Sequence, residues 1–198
     1  MKIAYLHGFQ SSSKARKATI LKRELSTAYP DIEFVSLDFS DDIHRAVDTL
    51  RSFVKEELKK KAKLFLVGSS MGGFFSLVLQ SEFDLKIALV NPCIYPTEFC
   101  LKHSLVNVSL ENFDTHEKFV ITPSDIEYLK VLEEKIKSYN SEKTVVFLQT
   151  GDEVLDYTKA QEFFKGSYVN IESGGSHTYD NFEKCIPSIV DFFKKEDN

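Results

Sequence analysis

The 198-residue sequence is short of the features that mark several protein classes. Its three cysteines, Cys93, Cys100 and Cys185, are odd in number and show no C-x-x-C spacing. That argues against a disulfide framework or a paired-cysteine zinc site and fits reduced thiols in a cytosolic protein. No apolar run approaches the roughly 20 residues of a membrane span. Residues 1–5 carry one lysine and a short apolar stretch running into a turn, without the long apolar region and cleavage site of a secretory signal. A cytoplasmic location is therefore expected. Glycine (8) and proline (5) are too scarce for a disordered or collagen-like chain. Positive charge is in deficit, with 25 Lys and Arg against 30 Asp and Glu for a net charge of -5. A nucleic-acid partner is not expected, because nothing concentrates positive charge to release counterions. The cluster Lys59-Lys60-Lys61-Ala62-Lys63 closes an expected helix, where it offsets the negative end of the helix dipole.

Hydrophobic residues make up 42% of the chain and charged residues 28%, enough for one globular domain over residues 1–198. Short apolar runs at 3–6, 34–37, 64–67, 87–90, 145–148 and 168–171 read as buried strands. Their near-continuous apolarity suits a parallel sheet covered on both faces. Between them lie stretches of 3.6-residue period: Ala18, Leu21, Leu25 and Ala28; Ile43, Val47, Leu50, Val54 and Leu58; Ile126, Leu129, Leu132 and Ile136; Ile186, Ile189, Val190 and Phe193. Ser124 with Glu127 three residues on reads as a capping box for the third of these helices. Strand and helix alternate throughout, so the class is α/β. Residues 91–123 break the rhythm. They are apolar without a clean period and too long for an ordinary loop, which leaves a lid over a site or a loop folded on its own core.

Chemistry concentrates at strand ends. Gly68-Ser69-Ser70-Met71-Gly72 fits G-x-S-x-G. It follows the strand at 64–67 and precedes an apolar run able to start a helix, the setting of a nucleophile elbow. A chemically silent Ser/Gly connection is the alternative. Tyr5-Leu6-His7-Gly8-Phe9 ends the first strand. A serine nucleophile needs backbone donors for a developing oxyanion, and the N–H groups of Phe9 and Met71 are the candidates. His7 reads as a loop-ordering residue, because His177 is better placed as a base, in a Ser-Gly-Gly-Ser loop after the last strand. Ligands of open α/β sheets bind at the strands' carboxyl ends. His44, His103 and His116 read as surface residues. Asp152, just past the strand at 145–148, is the candidate carboxylate. Asp156 is second and Glu153 reads as solvated. The order Ser70, Asp152, His177 is that of α/β-hydrolases.

On these residues the chain resembles the α/β-hydrolase superfamily, and within it the small bacterial esterases of the YqiA-like type. The similar stretches are Tyr5-Leu6-His7-Gly8-Phe9 with Ser11-Ser12, Gly68-Ser69-Ser70-Met71-Gly72-Gly73, Val90-Asn91-Pro92, residues 149–157, Gly174-Gly175-Ser176-His177 and residues 189–192. The resemblance implies a three-layer α/β/α fold with a six-stranded, mostly parallel sheet in the order 2-1-3-4-5-6, lacking the first two strands of larger relatives. It also implies a serine esterase or thioesterase acting on a small acyl ester through an acyl-enzyme on Ser70, with Asp152 and His177 completing the triad and no metal or organic cofactor. Acyl transfer from a carrier-bound acyl group and a non-catalytic binding role on the same fold are the rival readings. The excursion at 91–123 is expected to form a lid-like wall of an apolar acyl pocket.

Overall fold

A computed structural model describes residues 1–195; of the domain expected over 1–198, positions 196–198 lie outside the described residues. Six strands form one parallel sheet: β1 (Lys2–Leu6), β2 (Glu33–Leu37), β3 (Leu64–Ser69), β4 (Lys86–Val90), β7 (Thr144–Gln149) and β8 (Tyr168–Glu172). Their order is β2-β1-β3-β4-β7-β8, the expected one, since β5 (Ser109–Glu111) and β6 (Lys118–Val120) belong to a separate hairpin. Burial follows position. The four inner strands are almost wholly buried, whereas β2 and β8, expected to be buried as well, are only partly covered because each lies at an edge of the sheet. All six expected strands are present, each longer by one or two residues.

Helices cover both faces. On one face, α1 (Arg16–Ala28) and α7 (Ile186–Lys194) bury Leu21, Leu25, Ile186 and Ile189 against β1, β3, β4 and β7. On the other lie α2 (Ile43–Lys59), α3 (Met71–Phe83), α5 (Pro123–Ile136) and α6 (Tyr157–Phe163). Every residue of α3 from Met71 to Gln80 is buried, because α2 and α5 flank it and the sheet lies beneath. The apolar periods of α1 and α2 stop short of expectation. Ala28 and Leu58 are exposed, at the ends of their helices. The cap of α5 also differs from expectation. Thr122, not Ser124, is the N-cap, with Asp125 returning the bond, since Pro123 occupies the first helical position where its missing N–H costs nothing.

The excursion has more structure than its sequence period suggested. It contains α4 (Pro96–Lys102) and the antiparallel hairpin β5 (Ser109–Glu111) and β6 (Lys118–Val120). Its apolar residues divide. Cys100 and Ile121 are buried in the main core, and Leu105, Val106, Leu110 and Phe119 pack against it. Phe113, at the hairpin tip, stays 74% exposed. The tip is tied to the loops after β1 and β2. Buried Asn112 donates to Ser11 O (2.9 Å) and Asp41 Oδ2 (2.6 Å), while Phe113 N donates to Gln10 O (3.1 Å).

The chain steps outward from β1 to β2 and then returns to β3 on β1's other side. The loops after β1 and β3 therefore part at the carboxyl edge of the sheet and open a crevice.

Candidate active site

Ser70 occupies the turn between β3 and α3 at φ 54° and ψ -120°. A positive φ in a non-glycine residue is strained and needs surrounding contacts to hold it. The strain is held by backbone bonds: Ser70 N donates to Val90 O (3.1 Å), and Ser70 O accepts from Gly73 N (2.9 Å) and Cys93 N (3.0 Å). The turn is so tight that a Cβ on Gly72 would lie 2.1 Å from Leu6 O, and one on Gly68 2.4 Å from Gly72 O. Side chains are excluded there because those oxygens belong to backbone that cannot withdraw.

His177 and Asp152 arrive from the loops after β8 and β7. His177 Nε2 lies 3.0 Å from Ser70 Oγ, and its Nδ1 lies 2.9 and 3.0 Å from the two Asp152 carboxylate oxygens. With Nδ1 donating to the carboxylate, Nε2 is the acceptor for the Ser70 hydroxyl proton. The Asp152 side chain is 2% exposed and that of His177 19%. Asp152 Oδ1 also accepts from Val154 N (2.9 Å) and Leu155 N (2.8 Å), which fixes the carboxylate toward the ring. Asp156 faces elsewhere: it is the N-cap of α6 and accepts from Thr158 N at 2.9 Å. Glu153 is not merely solvated, since its Oε2 accepts the His177 backbone N–H at 2.9 Å.

Phe9 and Met71 line the same cavity as Ser70 and His177. Neither backbone N–H meets an acceptor among the described residues. Phe9 is steadied by Phe119 of the excursion, whose ring meets it edge-on at 5.4 Å. His7 orders this loop from beneath. Its Nδ1 donates to Gly8 O (2.8 Å), and the ring stacks on Phe39 at 3.9 Å between centroids. The Gly8 carbonyl and the Phe9 N–H are two ends of one planar trans peptide. Fixing the carbonyl therefore fixes the direction of the amide.

Burial holds the His7 imidazole below its ordinary pKa, against the opposing pull of the Gly8 carbonyl and of Asp41, Asp38 and Asp114. The unfolded chain then takes up a proton near pH 6.5 that the folded protein refuses, so stability falls as pH drops below that value. In His7→Asn this part of the acid sensitivity should vanish. Chemical denaturation of both proteins at pH 7.5 and pH 5.5 measures it as a smaller stability difference for the variant.

The cavity holds about 280 Å³. Phe9, Phe39, Phe75 and Leu155 wall one part, and the excursion contributes Phe99 and Phe113. Cys93 and Cys100 also face it as free thiols. Burial pushes the Cys100 thiol up to about 11, so it stays protonated and unreactive at neutral pH. Among the described residues no group of His, Cys, Asp and Glu side chains is arranged to hold a metal ion, and no helix is long and apolar enough to cross a membrane.

Two buried amides behind the His177 loop escaped the sequence reading. Asn91 and Gln149 stand at the ends of β4 and β7 and hydrogen-bond to the backbone of residues 176–180. Both lie in stretches shared with the resembled family, but nothing local distinguishes an amide that bonds a distant loop from one that ends a strand.

The model of the family described as "Uncharacterised protein family (UPF0227)" matches residues 2–194. Among solved structures, the chain is similar to Est1E from Butyrivibrio proteoclasticus, with a TM-score of 0.72 and 17% identity over 98% of this chain and 88% of that one. It is similar to the Pyrococcus furiosus esterase Pf2001 (TM-score 0.67, 17% identity, 98% and 80% covered). It is also similar to alpha/beta hydrolase domain-containing protein 10 from mouse (TM-score 0.64, 17% identity, 96% and 88% covered). The architecture is the α/β-hydrolase fold, as the sequence led us to expect.

Proposed function

The chain belongs to the uncharacterised protein family UPF0227, and we propose that it is a serine hydrolase that cleaves small carboxylic esters or thioesters through an acyl-enzyme on Ser70. The observation that carries the reading is the unbroken hydrogen-bond chain from Asp152 through His177 to Ser70 at the mouth of an apolar cavity. Such a chain has a direct use in acyl transfer. Ser70 Oγ attacks the acyl carbon as His177 Nε2 takes its proton. The carbonyl oxygen becomes an oxyanion, received by the N–H groups of Phe9 and Met71, with α3 directing the positive end of its dipole at the same point. Asp152 holds the ring in the required tautomer and balances its charge. The intermediate collapses as the protonated His177 gives its proton to the leaving alcohol or thiol. Water then adds to the acyl carbon as His177 accepts its proton, and His177 returns that proton to Ser70 Oγ as the C–O bond to Ser70 breaks, releasing the acid and restoring the free serine.

A fluorophosphonate probe tests this directly, because it forms a covalent bond only to an activated serine. Peptide mapping should find the label on Ser70. Label on Ser11, Ser12, Ser69 or Ser176 instead, or none at all, would overturn the assignment.

Similar solved structures support an ester substrate: one is of Est1E with ferulic acid bound, and another is of metagenome-derived lipolytic enzymes. In this protein the acyl group would lie among the phenylalanines of the cavity, which favour an apolar acyl chain over a charged one. Of the excursion, only the part that faces the cavity would act as a wall. Phe99→Ala and Phe113→Ala are each expected to change the ratio of long- to short-acyl turnover by about 10-fold or more, the worth of a lost pocket contact. Phe119→Ala should alter it less, since Phe119 packs on Phe9 and the core. Hydrolysis rates over a series of p-nitrophenyl esters measure the ratio, and an unchanged ratio in both variants rejects the wall.

A further inference from the structure

We infer that the Gln149 side-chain amide, braced by Asn91, is a positioning device that sets the catalytic register of the His177 loop. This rests on the serine-hydrolase reading above.

Gln149 is 3% exposed and ends β7. Its amide is saturated. Oε1 accepts from Ser176 N (3.1 Å) and Asp180 N (2.8 Å), while Nε2 donates to Asp180 O (2.9 Å) and Glu172 Oε2 (3.0 Å). One side chain thus grips the His177 loop on both sides of the histidine and ties it to the end of β8. Asn91, 2% exposed at φ 41°, holds the same loop from β4. Its Nδ2 donates to Ser176 O (3.0 Å) and His177 O (3.2 Å), and its Oδ1 accepts from Gln149 N (3.1 Å). The loop is shaped around the amide: a Cβ on Gly175 would stand 1.9 Å from Gln149 Oε1.

Other contacts on the loop are more open to water. Lys17 Nζ reaches Thr178 O at 2.9 Å and Glu153 reaches His177 N, both at solvent-exposed bonds. Water competes for those more than for the partly buried bonds at Gln149 and Asn91, whose side chains are themselves almost wholly buried and hold a more fixed geometry. Gln149 is not among the residues walling the catalytic cavity. Its influence on the reaction must pass through His177, and so should fall on kcat and spare KM.

The test uses the full chain, a p-nitrophenyl ester and the fluorophosphonate probe. Gln149→Ala is expected to lower kcat by about 100-fold, the usual consequence of a catalytic group displaced by an ångström, with KM nearly unchanged. Ser70 labelling should slow in parallel. Gln149→Glu keeps the acceptor and the shape but, once ionised, turns an oxygen toward Glu172 and the Asp180 carbonyl. Its kcat should fall on the alkaline side, converting the rise and plateau expected for wild type into a bell. Adding Glu172→Gln restores a donor between positions 149 and 172 and should recover part of the lost kcat. A purely structural residue would change thermal stability without giving the bell or the rescue.

Unchanged kcat, a loss confined to KM, or loss of folding in both single variants overturns the inference. If wild-type Ser70 takes the probe and Gln149→Ala takes it equally fast, the inference fails alone. If wild-type Ser70 takes no probe, the serine-hydrolase reading fails and this inference falls with it.

Discussion

Replacement of Ser70 by alanine is expected to lower ester turnover by roughly a millionfold, to the level left by substrate binding and the oxyanion donors alone. The size follows from mechanism. Without Oγ there is no atom to form the acyl-enzyme, and the proton path through His177 leads nowhere. The fold should survive. Ser70 contributes its strained backbone to the elbow, and those bonds run through its N–H and carbonyl, which alanine retains. Alanine at φ 54° keeps the strain and gains nothing that would relieve it. The measurements are turnover with a sensitive ester, together with a thermal melt showing a cooperative transition close to that of wild type. A loss of only about 10-fold in a folded variant would show that the nucleophile lies elsewhere.

Asp152→Asn should cost about 10,000-fold in kcat, because an amide at this position stabilises the wrong imidazole tautomer and balances no charge. The shape is kept, so folding should persist. The Val154 and Leu155 amides can still be met by the asparagine oxygen, but its NH₂ must then face Nδ1. Nδ1 becomes the acceptor, the proton moves to Nε2, and the base facing Ser70 is lost. Asp156→Asn is the control. Asp156 accepts from Thr158 N at the start of α6, so its loss should cost at most about 1 kcal/mol of stability and leave kcat near wild type. Kinetics of the two variants at pH 8 decide between the carboxylates. Equal losses in both would break the assignment of Asp152 to His177.

Much of this candidate site is legible in the sequence. The elbow is legible because it is local: a strand, a tight turn and a helix lie within residues 64–83, and the glycines that permit the turn are visible as letters. His177 and Asp152 were legible as types at strand ends. Their selection rested on the rule that parallel strands bring their carboxyl-end loops to one edge. The register bears this out, with Ser69 paired to Val90, Val90 to Phe147 and Gln149 to Glu172. The cap of α5 is not legible in the same way. Ser124 and Thr122 both precede an acidic residue by three, and only the position of Pro123 in the first turn distinguishes them.

What the sequence determined by itself is therefore the α/β class, the six strands, the elbow at Ser70 and the candidates Asp152 and His177. Each arises from a short-range constraint: the period of burial, the steric demand of a turn, or a residue's distance from a strand end. Tertiary structure alone decided which carboxylate meets the histidine, which excursion residues face the cavity and which the core, and which buried amides hold the His177 loop. Those outcomes depend on groups 25 to 107 residues apart meeting within hydrogen-bond distance. A hydrogen bond is worth something only over a few tenths of an ångström and a narrow range of angle. Hydrophobic pattern specifies that segments pack, but not their relative placement at that precision; the twist of the sheet and the close packing of its helices supply it.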